Sequence, residues 1–319
     1  MKVLSVDMGG SSIKMACMEQ GTIKDMVKIP VRSELGFEAA MPLLGHEISS
    51  LLQRHPGIGG IGIAYAGLVD PVRKRILSSN GKYGEAGQID LEAWISGLTG
   101  LPMILENDAN AALLGETAYG CAKGETDVVM MILGTGIGTA AMMEGRMVRG
   151  KHYQAGCLGG HFLIEKPSEG RLCTCGGRGC LEASAGTWAL GRNVRAHDGY
   201  TDSGLAGEAK IDFAVLGKWC RQQDPLANAV LDECVDLWAG GIINLIHAYD
   251  PETVVLSGGV MHLGEEIILR IRELTDRYAW TPWGHVDIRR AEDPDSSVVK
   301  GLNYLMETAL LRCSARIDK

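Results

Sequence analysis

The sequence predicts an α/β protein with an internal duplication, and three features carry that expectation. Apolar runs ending in glycine-and-hydroxyl turns occur twice, about 125 positions apart: residues 3–6 lead into Asp7-Met8-Gly9-Gly10-Ser11-Ser12, and residues 128–133 lead into Gly134-Thr135-Gly136-Ile137-Gly138. Strand-like runs alternate with helix-period segments along the chain. No low-complexity linker interrupts it, so the boundary between halves is expected at the glycine-bearing turn 120–124. The first domain is then 1–120, joined by a C-terminal helix over 297–319, and the second is 121–296.

Taken in order, the first turn lets the backbone approach a ligand closely, and Ser11 and Ser12 add hydroxyls, so its N–H groups suit phosphate oxygens. It matches neither the Walker A nor the dinucleotide pattern, and alone it reads equally well as a hairpin turn. Its recurrence at Gly134, Thr135 and Gly136 gives it weight, because two such hairpins can close on one nucleotide from two sides. Residues 58–66 form a small-residue strand ending at Gly67, followed by the loop Ser78-Ser79-Asn80-Gly81. Residues 101–105 form another, stopping at Glu106-Asn107-Asp108-Ala109-Asn110 before an Ala-rich helix to Tyr119. One N-cap accounts for part of that polar cluster, and the ligand-binding end of an α/β strand accounts for the rest. A long amphipathic helix is read through Leu226, Val230, Cys234, Leu237, Gly241 and Leu245, ending near Tyr249. The strand 253–256 then meets Ser257-Gly258-Gly259, a candidate adenosine edge before a helix from about Leu263. A final helix spans 297–312.

Composition narrows the function. A net charge of −8 disfavours nucleic acid and anionic membranes, so small molecules are the expected partners. No apolar run reaches the roughly 18 to 20 residues that span a bilayer, and Asp7 interrupts any signal-peptide core, so a cytoplasmic protein is expected. Nine cysteines in a reducing compartment imply metal binding plus scattered core thiols.

The stretch GHFLIEKPSEGRLCTCGGRGCLE, residues 160–182, holds three of those cysteines in a C-x-C-x₄-C spacing, with His161 upstream. Cys173, Cys175, Cys180 and His161 are four N or S donors on a glycine-rich loop, the set that structural Zn²⁺ takes. Disulfides would leave one of the three thiols unpaired, and core cysteines would follow strand or helix periodicity.

With DMGGSSIK, ENDANAA, LGTGIG, the His-plus-CxCGxxGC knuckle and LSGGV in this order, the chain resembles the ROK family of bacterial sugar kinases and sugar-responsive repressors. The resemblance implies a duplicated actin-like (ribonuclease H-like) ATPase-type kinase fold of two α/β domains, with ATP and Mg²⁺ in a central cleft, a sugar beside the zinc knuckle, and a homodimer. It makes Asp108 the catalytic base and Asp7 a Mg²⁺–phosphate organiser. It places Gly10, Ser12, Lys14, Gly134, Thr135, Gly136, Gly258 and Gly259 at the nucleotide. Asn80, Asn107, His161 and Glu182 are implied sugar contacts.

Two departures bear on the sugar. Typical family kinases carry a Glu three residues before the zinc His, where this chain has Leu158, or Cys157 if one residue is inserted. The family's Pro-Gly near the first sugar loop is Ala66-Gly67. The expected activity is ATP-dependent, glucokinase-like phosphorylation of a hexose or related sugar at a terminal hydroxyl. The competing reading is a sugar-sensing regulator or a non-catalytic sugar- and nucleotide-binding protein of the same descent. Only six residues precede Asp7, so DNA binding through the helix-turn-helix that the family's repressors carry ahead of the first phosphate loop is not expected.

Overall fold

The computed structural model describes residues 1–79 and 82–317. It divides into two compact units, Met1–Gly124 with Arg149–Ala155 and Glu292–Lys319, and Glu125–Val148 with Gly156–Ala291. The return of 149–155 to the first unit has no counterpart in the sequence reading. No described helix is long and apolar enough to cross a membrane.

The first unit runs β1 (Lys2–Met8), β2 (Ser12–Glu19), β3 (Thr22–Pro30), α1 (Phe37–Arg54), β4 (Ile58–Tyr65), β5 (Leu68–Asp70), β6 (Arg75–Ser78), α2 (Leu91–Thr99), β7 (Met103–Asn107), α3 (Asp108–Tyr119) and the C-terminal helix Ser297–Ile317. Its main sheet is ordered β3-β2-β1-β4-β7. The two-residue period of a strand sorts the side chains between faces. Leu4, Val6, Met8, Ile13, Met15 and Cys17 share a core with α1 and α2, whereas Ala16 and Met18 pack with Val299, and Ala64 with Ala111 and Leu302. On α1 the buried Phe37, Leu44, Ile48 and Leu51 recur at helical spacing, each worth about 1.5–3 kcal/mol of burial.

The helix α3 carries Asp108 at its first position and is buried on most sides, which its Ala-rich sequence permits. Backbone approach fixes its packing. A Cβ added at Gly115 would lie 2.0 Å from the Ser297 carbonyl oxygen, and one at Gly301 would lie 1.8 Å from that of Ala111. Only glycine at both places lets α3 and the C-terminal helix come this close.

The second unit runs β8 (Val128–Leu133), β9 (Ile137–Met143), β10 (Arg146–Met147), α4 (Leu181–Ala185), α5 (Thr187–Arg195), α6 (Phe213–Arg221), α7 (Pro225–Tyr249), β11 (Thr253–Ser257), α8 (Glu265–Tyr278) and β12 (Asp287–Arg290). Its sheet order, β10-β9-β8-β11-β12, repeats the plan of the first. In each sheet the strand before the glycine turn pairs antiparallel with the next strand and parallel with a later one. The duplication read from the turns is therefore a duplication of topology. Asp224 starts α7, accepting from Ala227 N at 2.9 Å, with Pro225 in the first turn where no N–H is needed.

Three boundaries differ from the sequence reading. The C-terminal helix continues to Ile317. β7 starts at Met103 and extends through Asn107, because the polar cluster continues the parallel ladder with β4. The Gly258-Gly259 turn leads into a 3₁₀ turn, Gly259–Leu263, and α8 begins only at Glu265. No α-helix N-terminus therefore points from Gly258 or Gly259.

Candidate functional site

The hairpin joining β1 to β2 is pinned from outside its own strands. Tyr83 OH donates to Gly9 O at 2.8 Å, Ser33 N to Gly10 O at 3.4 Å and Val31 N to Ser11 O at 3.1 Å. Asp7 lies beside it, one residue before the end of β1. Burial first, and then the charge of Asp108, push the Asp7 carboxyl up to about 7, against the opposing pull of Lys14. Lys14 reaches Asp295, its ammonium 2.6 Å from the carboxylate. Asp7, Asp108 and Asp295 thus outnumber the nearest cation on the Asp7 side. A carboxyl whose pKa is raised by burial and then by neighbouring carboxylates is a donor suited to a hard divalent ion, which would favour its charged form.

Asp108 stands where β7 passes into α3. Its Oδ1 accepts from Asn107 Nδ2 at 3.0 Å and Ala109 N at 2.9 Å, so the plane of the carboxyl is set. Burial raises its pKa, and the ammonium of Lys82 and these hydrogen bonds oppose the rise. Asn107, implied as a sugar contact, has both amide hydrogens engaged, by Gly67 O at 3.0 Å and by Asp108, while its Oδ1 caps α3 through Asn110 N. The structure gives it the work of holding Asp108. Behind it lies Glu106, whose side chain is 2% exposed and whose carboxylate meets the Arg149 guanidinium at 2.8 and 2.5 Å. Glu106 Oε1 also accepts from Asn107 N and Asn110 Nδ2. Asn80 lies outside the described residues.

In the second unit the knuckle and the second hairpin are one structure. The four donor atoms of His161, Cys173, Cys175 and Cys180 lie within 4.8 Å of one another. Cys175 Sγ and Cys180 Sγ are 3.7 Å apart, and Cys173 Sγ is 3.6 Å from His161 Nδ1. A zinc tetrahedron has S···S edges of about 3.8 Å and S···N edges of about 3.5 Å, from its bond lengths. The donor set fits that ion, and with Nδ1 turned toward it His161 keeps Nε2 for another partner.

Glu182 follows the last of these cysteines. Its Oε2 accepts from Ile137 N at 2.8 Å and its Oε1 from Trp188 Nε1 at 3.0 Å. A Cβ at Gly136 would lie 2.3 Å from Glu182 Oε2, so glycine there admits the carboxylate. Thr187 Oγ1 donates to Gly134 O at 2.6 Å and Trp188 N to Thr135 O at 2.9 Å. Glu182, implied as a sugar contact, is thus committed to bracing the Gly134-Thr135-Gly136 turn. Gly258 has φ 96°, and a Cβ there would lie 2.4 Å from Leu133 O, so close packing of β11 on β8 already requires it.

A model described as ROK family matches residues 3–309. The chain belongs to the ROK family. This ROK protein is 31% identical over 279 residues to a glucokinase of Thermotoga maritima, covering 86% of each chain. It is 27% identical to a β-glucoside kinase of Klebsiella pneumoniae, covering 82% of each. Its fold is similar to that of a ROK family glucokinase from Streptomyces griseus solved with glucose and AMPPNP, at a TM-score of 0.81 and 27% identity over 96% of this chain and 99% of that one. The fold is the actin-like two-domain α/β fold of these kinases.

Sequence reasoning passed over Lys82, Tyr83, Arg149 and Asp295. Each acts through a contact far away along the chain, with no local spacing to mark it.

Proposed function

We propose that the protein is a sugar kinase that transfers the γ-phosphoryl group of ATP to a terminal hydroxyl of a hexose or related sugar. The observation that carries the reading is the placement of Asp108: a carboxyl fixed by Asn107 and Ala109 at a strand end, in the same unit as Asp7 and the first glycine hairpin, in a ROK chain.

In this reading Asp108 takes the proton of the attacking hydroxyl, and its orientation is set before substrate arrives. The hydroxyl oxygen bonds to the γ-phosphorus while the bond to the β,γ-bridging oxygen breaks, its electron pair leaving on ADP. Gly10, Ser12 and Lys14 hold phosphate oxygens, and Gly134, Thr135, Gly136, Gly258 and Gly259 contact the nucleotide. Asp7 would hold Mg²⁺, which supplies neutralisation of phosphate charge when bound. His161, Cys173, Cys175 and Cys180 would hold a structural Zn²⁺, leaving His161 Nε2 for the sugar. The sugar's remaining contacts are assigned to Asn80, Asn107 and Glu182, the last two through whatever lone pairs their internal bonds leave. A homodimer is proposed from the family resemblance and is read by light scattering.

The test is ADP release across hexoses, N-acetylhexosamines, disaccharides and glycosides, with Asp108→Asn as the control. Active wild type, with kcat at least about 10²-fold lower in the variant and ATP affinity nearly unchanged, supports the assignment. A variant within threefold of wild type would make Asp108 a cap and place the base elsewhere.

A further inference from the structure

The first phosphate hairpin is roofed by a lysine with no role so far. The stem of Lys82 crosses the hairpin: a Cβ at Gly10 would lie 3.1 Å from both its Cδ and its Cε. The backbone beneath it is held by three hydrogen bonds. Lys82 N donates to Ser79 O at 2.9 Å, Tyr65 OH to Lys82 O at 3.2 Å and Tyr83 N to Ser33 O at 2.9 Å. Tyr83 OH closes the ring of contacts on Gly9 O.

Tyr83 itself is 1% exposed and holds φ at 50°, a conformation that costs a non-glycine residue about 1 kcal/mol or more. Its ring is wedged between Phe37 and Tyr65, with centroids 5.8 and 6.0 Å away, which keeps the backbone there. A strained, fully buried residue thus fixes the direction in which Lys82 leaves the chain.

The charge at the end of that stem acts on Asp108, favouring its ionised form. Among the described residues no ion pair or hydrogen bond engages the Lys82 ammonium, whereas that of Lys14 is bound to Asp295. A cation reaching both the phosphate turn and the acceptor's base, and not neutralised by a protein carboxylate in direct contact, is placed where charge develops during phosphoryl transfer.

We propose that Lys82 is a catalytic residue whose ammonium contacts the γ-phosphoryl group that is transferred. The proposal rests on the kinase reading above. In the step, Lys82 keeps its proton throughout and lies on the non-bridging oxygens. Asp108 receives the hydroxyl proton, the new O–P bond forms, and the bridging oxygen departs on ADP with its electron pair.

The experiment compares wild type with Lys82→Met, Lys82→Gln and Lys82→Arg in two measurements. The first is kcat and KM for ATP with the best sugar of the panel. The second, which needs no turnover, is the affinity for AMPPNP relative to ADP, each with Mg²⁺, by calorimetry. Lys82→Met and Lys82→Gln are expected to lower kcat at least about 10²-fold and the AMPPNP-to-ADP affinity ratio about tenfold, with ADP affinity within threefold. Lys82→Arg is expected to restore most of both, since charge and not shape is required. An unchanged ratio together with kcat within threefold of wild type overturns the proposal. Wild type that releases no ADP with any sugar overturns the kinase reading instead, and the affinity ratio still decides whether Lys82 meets the γ-phosphate.

Discussion

Replacing Arg149 by Met isolates the charge of Glu106 in the interior. Oε1 of Glu106 keeps Asn107 N and Asn110 Nδ2, but the guanidinium is the only donor to Oε2 that the described residues supply. Breaking a buried pair by removing one partner costs about 3–5 kcal/mol. The Arg149 side chain is 27% exposed, so water can follow the missing group, and we expect a smaller loss of about 2–3 kcal/mol. The assay is urea unfolding of wild type, Arg149→Met, Glu106→Gln and the double variant. Gln keeps an acceptor for the two remaining donors and removes the charge, so the double variant should recover about half of the Arg149→Met loss. The coupling energy should then be at least about 1 kcal/mol. Additivity within about 0.5 kcal/mol would refute the reasoning, because it would mean that the pair is solvated and that Glu106 does not depend on Arg149.

Protein purified without added metal should carry one Zn²⁺ per chain, and Cys175→Ser should release it; a folded, active sample with no metal by elemental analysis rules the ion out. If Leu158 takes the place of the Glu that the family resemblance implies near the sugar, wild type should accept 2-deoxyglucose and a methyl glucoside better than Leu158→Glu does, as judged by kcat/KM against glucose. Strict rejection of both analogues by wild type would remove Leu158 from specificity. Asp224→Ala should cost about 2–4 kcal/mol at pH 7, from the lost cap and the unpaired Ser203 and Gly204 donors. Burial raises the Asp224 pKa, but bonds from Ala227 N, Gly204 N and Ser203 Oγ outweigh it and hold the group below its ordinary value. Its contribution is therefore present above the unfolded value of about 3.9 and is lost as pH falls through the lower folded value. The difference between wild type and variant in urea midpoint should be constant from pH 8 to pH 5 and narrow only below about pH 4.

What the sequence made legible was whatever the backbone itself demands. Gly136 stands where a Cβ would meet Glu182 Oε2 at 2.3 Å, and Cys173, Cys175 and Cys180 stand at a close spacing on a glycine-rich loop, so both could be read locally as candidates. The duplication was legible from the two turns, and the strand order came only with the structure. Asp108 was legible as a candidate because a carboxylate at a strand end has few structural duties beyond capping, and the structure gives the cap to Asn107. Glu182 was legible only as a carboxylate, since its partners Ile137 and Trp188 are assembled by folding. Glu106 and Arg149 lie 43 positions apart, and the Lys82 stem is aimed by a buried tyrosine ring; neither leaves a periodic trace.

The close approach of α3 to the C-terminal helix has a consequence for how the chain comes off the ribosome. Glu116 and Ser297, joined by a side-chain hydrogen bond, are 181 positions apart. At about 5–20 residues per second, α3 emerges roughly 10 to 35 s before the helix that covers its glycine face. Through that interval the nascent first unit exposes the faces of Ala64 and Ala111 that Leu302 later covers, while the strands of the second unit's sheet are translated one after another, β12 last, just ahead of that helix. The order of synthesis thus favours the half that holds the metal knuckle, and leaves the half that holds Asp108 to be completed last.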